Sequence, residues 1–267
     1  MNDAAGMALA VELERVYYAH CDVASWESLA ALFGTARVHS STTTIDIVFS
    51  NAGVAGHDAL LDWAPSPAAE SGPVAGPVAE LLPPSEYPDI QVNLTAAFNI
   101  ARLALHQFQQ QGGHGRLVFT GSAASYLDTP PLWVYTAAKH GVLGLMRSLR
   151  APAAAGAWGS DVAVNLVAPW YTRTPMVATL VQRWGDRPAN SPQAVARVLV
   201  FAAVAREWRA GGVSGRQPVG TPLNGCGFFV GGDRAVEVEH ALIAQRPALL
   251  ADFAAVIADG QAALGGW

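Results

Sequence analysis

The sequence predicts an α/β fold in which a doubly wound parallel sheet is covered by helices on both faces. Short, almost continuously apolar segments rich in β-branched residues alternate with longer segments of helical composition. Strands with apolar side chains on both sides belong inside a sheet that is covered on both faces. No internal repeat or clear linker divides the chain, so we expect residues 1–267 to form a single domain.

The expected strands share β-branched or aromatic residues, and most end near a residue that favours a turn. They cover residues 15–23, 45–50, 115–122, 161–168 and 225–230. We expect these segments to form one parallel sheet, with Pro169 ending the fourth strand.

The expected helices begin at residues that suit the first turn of a helix. Ser25, Ser85 and Ser191 can accept a hydrogen bond from a first-turn N–H group, and Pro192 suits the first helical position. The helices are expected at residues 4–13, 25–39, 85–110, 191–208 and 234–261, with a further helix from about residue 133. Residues 54–84 are rich in Pro, Gly, Ala and Ser and are expected to form a long loop.

The composition is that of a globular protein that binds neither nucleic acid nor membranes. Apolar residues make up 51% of the 267 residues and charged residues 14%, which allows a sizeable core. The net charge of -5 offers no basic surface for nucleic acid. The longest apolar stretch, residues 194–205, is interrupted by Arg197 and is too short to span a bilayer.

The N-terminal residues and the two cysteines predict a reducing, cytoplasmic setting. Residues 1–15 lack the basic start and apolar core of a secretory signal. Cys21 and Cys226 are too few for a disulfide framework. No Cys/His spacing is typical of a zinc site, so the sequence predicts no metal.

The most distinctive local pattern is a tyrosine followed four residues later by the only lysine of the chain, Tyr135 and Lys139. Residues at this spacing lie on the same face of a helix. An ammonium beside a phenol favours the phenolate, so we expect the pKa of Tyr135 to be lowered. A tyrosine tuned in this way can exchange a proton with an alcohol near neutral pH.

Further candidate site residues lie at the ends of expected strands. Asn51, Ala52 and Gly53 follow the second strand, and Ser122 ends the third. In a doubly wound sheet, chemistry gathers at the carboxyl ends of the strands. We expect Ser122 to hydrogen-bond a substrate oxygen while Tyr135 transfers the proton.

Five motifs follow one another along the chain: FSNAG at 49–53, VNLTAAFN at 92–99, TGSAAS at 120–125, YTAAK at 135–139 and VNLVAPWYTRTPM at 164–176. In this order they resemble the motifs of the short-chain dehydrogenase/reductase family, whose fold is Rossmann-like. Asp22 and Val23 also match the family's Asp-Val step after a strand.

The resemblance implies a catalytic tetrad of Asn93, Ser122, Tyr135 and Lys139. Tyr135 is then the acid/base, and Ser122 orients the carbonyl or hydroxyl group of the substrate. Lys139 lowers the tyrosine pKa and binds the nicotinamide ribose, while Asn93 links Lys139 to solvent through a water. The implied cofactor is NAD or NADP, with contacts from Asp22, Val23, Asn51, Ala52, Gly53, Tyr135, Lys139, Pro169 and Thr174.

One departure from the family pattern bears on the substrate. Trp170 follows Pro169 where the family usually has glycine. Together with Trp133 and Tyr171, it indicates a narrow pocket for an apolar, cyclic or aromatic small molecule, although ordinary aromatic packing explains the same residues. This variant resembles a subset of the family from fungal secondary metabolism.

A second departure bears on the cofactor. The family begins with a strand, a TGxxxGxG turn, a helix and a second strand, and this sequence contains none of them. We therefore expect a truncated sheet that lacks the first βαβ unit, with edges that are covered or re-paired. The resemblance also implies a homodimer or homotetramer, formed through the helices that begin near Ser85 and Trp133.

The sequence leaves three functions open. The first is an NAD(P)-dependent oxidoreductase that acts on an alcohol or ketone. The second is a family-derived isomerase, dehydratase or cyclase that works without a dinucleotide and uses Tyr135 and Ser122 for proton transfer. The third is a non-catalytic family member, which the complete tetrad disfavours.

Overall fold

A computed structural model describes residues 3–55, 87–206 and 222–249 of the chain. Over these ranges the chain forms one five-stranded sheet with helices on both faces. The strands are β1 (Ile47–Ser50), β2 (His114–Thr120), β3 (Asp161–Pro169), β4 (Gly227–Gly231) and β5 (Arg234–Glu237). The α-helices are α1 (Asp3–Glu12), α2 (Trp26–His39), α3 (Pro88–Ile90), α4 (Ala96–Gln110), α5 (Trp133–Ala154), α6 (Val181–Trp184), α7 (Pro192–Val204) and α8 (Glu239–Leu249).

The sheet confirms the predicted α/β class and is mainly parallel. Its strand order is β1-β2-β3-β4-β5, and the first four strands are parallel neighbours. The prediction of helix from residue 234 was wrong for Arg234–Glu237, which pairs antiparallel with β4. Gly232 and Asp233, with φ of 57° and 61°, form the tight turn that reverses the chain. Within the described ranges, β1 forms one edge of the sheet.

Residues 15–23 were predicted to form a strand, and this prediction was wrong. The segment has no regular secondary structure and pairs with no described strand. Its apolar residues Cys21 and Val23 still pack against the core. A β-branched and aromatic composition was therefore not sufficient, because a strand also needs a neighbour to share its backbone hydrogen bonds.

The predicted helix starts were largely confirmed. The Ser25 side chain accepts a hydrogen bond from the backbone N–H of Ser28, and Ser191 accepts one from Ala194. Ser85 and nearly all of the expected loop at 54–84 lie outside the described residues. The helix expected to reach about residue 208 ends earlier, at Val204, because Ala205 is extended.

The core occupies both faces of the sheet, as a doubly wound fold requires. On one face α2, α4 and α5 pack against alternate strand residues such as Leu117 and Phe119. On the other face α7 packs against Val118, Val167 and Phe228. Successive side chains of β2 thus point to opposite faces, and both sets are buried.

A buried ion pair connects the start of α8 to α5. The Glu239 side chain is 1% exposed and accepts hydrogen bonds from Arg147 at 2.8 and 2.9 Å and from Arg150 at 2.7 Å. Burial alone would raise the pKa of Glu239, but the two arginines outweigh it and hold the pKa below its usual value.

Within the ranges that the structure describes, no helix is both long and apolar enough to cross a bilayer.

The burial of Leu117 in β2 allows a test of the assigned core. Leu117 is fully buried, so Leu117→Ala should leave a cavity and lower the free energy of unfolding by about 2–5 kcal/mol. Leu9 on α1 is 49% exposed, and the matched Leu9→Ala should change that free energy by about 0.5 kcal/mol or less. Chemical denaturation of both variants measures the difference. Equal losses would contradict the assigned core.

Candidate active site

The site is built where the carboxyl ends of β1 and β2 lie side by side. Ser50 at the end of β1 is paired with Phe119 of β2, so the residues that follow the two strands emerge at the same edge. The Thr120 hydroxyl donates to Asn51 Oδ1 at 2.9 Å, which joins the two strand ends. The predicted groups Asn51–Gly53 and Ser122 therefore share one edge of the sheet.

Asn93 fastens the turn after β1 to the helix that covers it. Asn93 is 3% exposed, its Oδ1 accepts from the Val54 N–H at 3.0 Å, and its Nδ2 donates to the Val54 carbonyl at 2.9 Å. It lies in a π-helical turn, Gln91–Thr95, between α3 and α4. The sequence prediction of one regular helix missed this turn. Such π-turns occur frequently at functional sites.

Gly53 lets the backbone pass close to two predicted catalytic residues. A Cβ atom at this position would lie 2.9 Å from Asn93 Oδ1 and 3.6 Å from Lys139 Nζ. The first distance is shorter than real Cβ contacts, and the partner oxygen is held by its own hydrogen bond. A side chain at position 53 would therefore displace Asn93.

Ser122 and Ser125 connect the end of β2 to α5. Ser122 begins a short 3₁₀ helix, Ala123–Ser125, and its hydroxyl accepts from the Ala124 N–H at 3.2 Å. The Ser125 hydroxyl accepts from the Ser122 N–H at 3.2 Å and donates to the Lys139 carbonyl at 2.8 Å. Ser125, which the sequence analysis did not single out, thus fixes α5 relative to Ser122.

The Lys139 ammonium lies at the centre of the site. Lys139 is 4% exposed, its Nζ donates to the Thr120 carbonyl at 3.0 Å, and the same atom lies 5.6 Å from the centre of the Tyr135 ring. Burial lowers the pKa of Lys139 to about 8, and the negative charge of Asp89 opposes that shift. Lys139 therefore remains largely protonated at neutral pH.

The pKa of Tyr135 corrects the expectation from the Tyr–Lys spacing. Burial raises this pKa above its usual value, the hydrogen-bonding hydroxyl of Ser122 lowers it, and the charge of Asp89 raises it. The expected lowering was wrong because desolvation of the phenolate is the largest effect. At neutral pH Tyr135 is thus a neutral phenol, held beside Ser122 and able to donate a proton.

Asp89 is a site residue that sequence reasoning missed. It lies on α3, four residues before Asn93, and is 1% exposed. Its charge raises the pKa values of both Lys139 and Tyr135. The one available signal was its i,i+4 spacing to Asn93, which puts both residues near one face of the helical segment.

A cavity lies beyond β3, in the segment where the sequence predicts the substrate pocket. It has a volume of about 410 Å³, and Tyr171, Thr174 and Trp184 are among the residues that line it. The Tyr171 and Trp184 rings stack with their centres 4.4 Å apart and their planes 8° apart. The Trp170 ring packs against Trp184 at 6.4 Å. Of the residues predicted for the pocket, Tyr171 lines this cavity and Trp170 does not, whereas Trp184, which the sequence prediction missed, does.

Other predicted site residues are placed as follows. Trp133 begins α5, is 40% exposed and is not among the residues that line the cavity. Pro169 is the last residue of β3 and pairs with Val230 of β4, so it continues the strand that it was expected to end. Asp22 is exposed, and its carboxylate accepts from the Ala24 N–H at 3.0 Å. Its assignment to adenine stays a prediction, together with that of Val23.

The sequence matches one protein family over most of its length. The family model for short chain dehydrogenases matches residues 2–184. The chain belongs to the short-chain dehydrogenase family. This identification agrees with the mainly parallel sheet and with the Asn93, Ser122, Tyr135 and Lys139 residues that lie at its carboxyl edge.

Two fungal members of the short-chain dehydrogenase family illustrate the similarity. A 5'-hydroxyaverantin dehydrogenase from Dothistroma septosporum is 33% identical over 201 residues, which cover 72% of this chain and 60% of that protein. A short-chain dehydrogenase/reductase from Penicillium roqueforti is 30% identical over 240 residues, which cover 88% of this chain and 67% of that protein. The chain thus spans about three fifths of the length of the first of these relatives.

A solved structure of this family supports the fold. The 3-ketoacyl-(acyl-carrier-protein) reductase from Brucella melitensis, complexed with NADH, matches with a TM-score of 0.63 and 19% identity. The match covers 88% of this chain and 85% of that chain. At this identity the similarity establishes the shared architecture alone.

The described residues fit the nicotinamide-ribose end of the family's cofactor. Asn51–Gly53 present backbone at the edge of the sheet, and Gly53 approaches Lys139 without a side chain between them. Tyr135 and Lys139 offer a hydroxyl group and an ammonium group for a ribose. In the described ranges, no strand leads into a helix through a glycine-rich turn of the kind that holds a pyrophosphate.

The charge of Asp89 can be tested at Lys139. Because Lys139 is the only lysine, lysine-labelled protein gives a single side-chain NMR signal, which should titrate with a midpoint near pH 8. Asp89→Asn removes the opposing charge and should move this midpoint to lower pH. Asp186→Asn, a change of an exposed residue, serves as the control and should leave the midpoint in place. An unchanged midpoint in Asp89→Asn would disprove the electrostatic role.

Proposed function

We propose that this protein is an oxidoreductase that interconverts the alcohol and ketone of an apolar, cyclic or aromatic small molecule. The observation that carries the proposal is the neutral, half-buried phenol of Tyr135, held beside Ser122 and the buried ammonium of Lys139. Membership of the short-chain dehydrogenase family supports an enzyme of this type.

Tyr135 acts as the acid when a ketone is reduced. Its raised pKa keeps the proton on the phenol oxygen at neutral pH, so it can protonate the carbonyl oxygen as that oxygen gains negative charge. In the reverse direction the phenolate must form first. Oxidation of the alcohol should therefore become faster as the pH rises, while reduction proceeds at neutral pH.

Three other side chains support this proton transfer. The Ser122 hydroxyl hydrogen-bonds to Tyr135 and is positioned to hold the substrate oxygen. The Lys139 ammonium stabilises the phenolate left behind, because it lies 5.6 Å from the centre of the ring in a site screened from water. Asn93 holds the turn that places Gly53 beside Lys139.

The proposed cofactor is NAD or NADP. Asn51, Ala52, Gly53 and Lys139 would hold its nicotinamide-ribose end, and the related reductase of known structure was complexed with NADH. A bound nicotinamide supplies a hydride to a ketone or accepts one from an alcohol. Asp22, Val23, Pro169 and Thr174 are proposed as further contacts with the cofactor.

The substrate class is supported by the cavity and by the fungal relatives. The stacked Tyr171 and Trp184 rings give the cavity of about 410 Å³ a planar aromatic wall. Such a wall suits a flat ring system. We propose a small molecule of the kind made in fungal secondary metabolism, in keeping with the fungal dehydrogenases that this chain is similar to.

We further propose that the protein works as a homodimer or homotetramer in the cytoplasm. The helices α4 and α5 carry exposed aromatic residues, with Phe98 50% exposed and Trp133 40% exposed. Exposed apolar surface of this kind favours association between copies of a chain. Neither nucleic acid nor a membrane is a proposed partner.

Removing the phenol oxygen tests the proton transfer. Tyr135→Phe should lower the rate of reduction of 1-tetralone with NADH or NADPH by about 10²–10⁴-fold, the usual contribution of a general acid. The matched change Tyr17→Phe affects a tyrosine that is 63% exposed on the surface and should leave the rate unchanged. The measurement is the loss of reduced-nicotinamide absorbance.

The same assay distinguishes the alternatives. Cofactor binding by the wild-type protein together with an inactive Tyr135→Phe variant supports the oxidoreductase. Failure to bind either NADH or NADPH at millimolar concentration would overturn it. If cyclic ketones were then isomerised or dehydrated without a cofactor, the protein would be a proton-transfer enzyme. Wild-type rates in Tyr135→Phe would exclude Tyr135 as the proton donor in either catalytic function.

The aromatic wall generates a separate prediction about substrate binding. Trp184→Ala should raise the KM for 1-tetralone about tenfold, equivalent to ~1.4 kcal/mol, with little change in kcat. The reason is that the wall contacts the ring system equally before and during the reaction. Trp26→Ala on α2 is the control and should leave KM unchanged. A fall in kcat at constant KM would contradict this role of Trp184.

A further inference from the structure

A group of three potential metal ligands lies where the β4–β5 hairpin meets α8. Cys226 directly precedes β4, Glu237 ends β5, and His240 lies in the first turn of α8. The Cys226 sulfur, a Glu237 carboxylate oxygen and a His240 ring nitrogen all lie within 4.8 Å of one another. The hairpin and the helix start thus bring together three side chains of different ligand types.

The Glu237 carboxylate is held in a fixed orientation by backbone groups. Its Oε1 accepts from the N–H groups of Gly227 at 3.0 Å and Glu239 at 2.9 Å, and its Oε2 accepts from the N–H of His240 at 3.2 Å. The same Oε2 lies 3.1 Å from His240 Nδ1. Hydrogen bonds that orient a carboxylate in this way are typical of the partners that support metal ligands.

The spacing of the ligand atoms suits a small tetrahedral ion. Bonds of about 2.0–2.2 Å from zinc to nitrogen and oxygen place the two ligand atoms about 3.3 Å apart. Glu237 Oε2 and His240 Nδ1 form an ion pair at 3.1 Å, a separation close to this value, so an ion bound by both atoms would replace this contact. The Cys226 sulfur, within 4.8 Å of both atoms, supplies the third ligand through a longer bond of about 2.3 Å.

The charges of the ligand set favour a divalent cation. The Cys226 sulfur and a Glu237 carboxylate oxygen lie together in the group, and Cys226 is 1% exposed. A dication attracts the carboxylate and neutralises the thiolate that forms when the ion binds. A thiolate, a carboxylate, a neutral imidazole and a dication together carry no net charge, which limits the cost of burial.

We propose that Cys226, Glu237 and His240 bind a zinc ion. A set of one thiolate, one imidazole and one carboxylate selects zinc over magnesium or calcium, which prefer oxygen ligands. Cys226 is 1% exposed, whereas the His240 side chain is 26% exposed, so water can fill the fourth position on the histidine side. The ion joins the β4–β5 hairpin to α8 and stabilises that part of the fold.

The two cysteines of the chain allow a matched test on the full-length protein. Cys226 is in the group, and Cys21 lies in the irregular segment before α2. Chelator-treated wild-type and Cys21→Ser proteins should each bind one Zn²⁺ per chain by calorimetry. With Co²⁺, both should show the absorbance band of a sulfur-to-cobalt charge transfer. Cys226→Ser should lose that band, and both Cys226→Ser and His240→Ala should bind Zn²⁺ at least tenfold more weakly.

Measurements on the folded wild-type protein keep the proposal falsifiable even if a variant is unstable. No charge-transfer band in the wild-type protein at saturating Co²⁺ would overturn it. So would a band that persists in Cys226→Ser and disappears in Cys21→Ser. Zn²⁺ should also raise the thermal midpoint of Cys21→Ser, and equal midpoints with Zn²⁺ and with chelator would contradict a structural ion.

Discussion

The rest of the site depends on the hydrogen bond from the buried Lys139 ammonium to the Thr120 carbonyl. A charged group with 4% exposure needs a nearby acceptor, and the carbonyl of Thr120 at the end of β2 provides one. This bond ties α5 to the carboxyl edge of the sheet. Beside it, Asn93 holds the turn after β1, and its Oδ1 leaves no room for a side chain at Gly53.

Burial at this edge shifts two pKa values in opposite directions. It lowers the pKa of Lys139 to about 8 and raises that of Tyr135, so both groups are pushed toward their neutral forms. The charge of Asp89 favours protonation of both residues. The site therefore keeps a proton on the phenol and a charge on the ammonium at neutral pH, which is the state suited to protonating a carbonyl oxygen.

Much of the fold follows from local patterns, and the exceptions have physical causes. The Ser25 and Ser191 caps depend on nearby residues, so the local sequence was sufficient to predict them. Residues 15–23 have the composition of a strand, but a strand also requires a neighbour. The short strand β5 was missed because its pairing arises from the turn at Gly232 and Asp233 and from contact with β4.

The sequence by itself determined the family and predicted the proton-handling residues, because their spacing is a property of the chain. Tyr135 and Lys139 are four residues apart on one helix, and Ser122 follows a strand end in any parallel arrangement. Only the tertiary structure decided which residues from distant parts of the chain come together. Asp89 lies on α3, and its charge raises the pKa of Lys139. The Trp184 ring stacks on the Tyr171 ring. Cys226, Glu237 and His240 meet through a hairpin. Contacts of this kind depend on how elements pack, and chain spacing does not encode that packing.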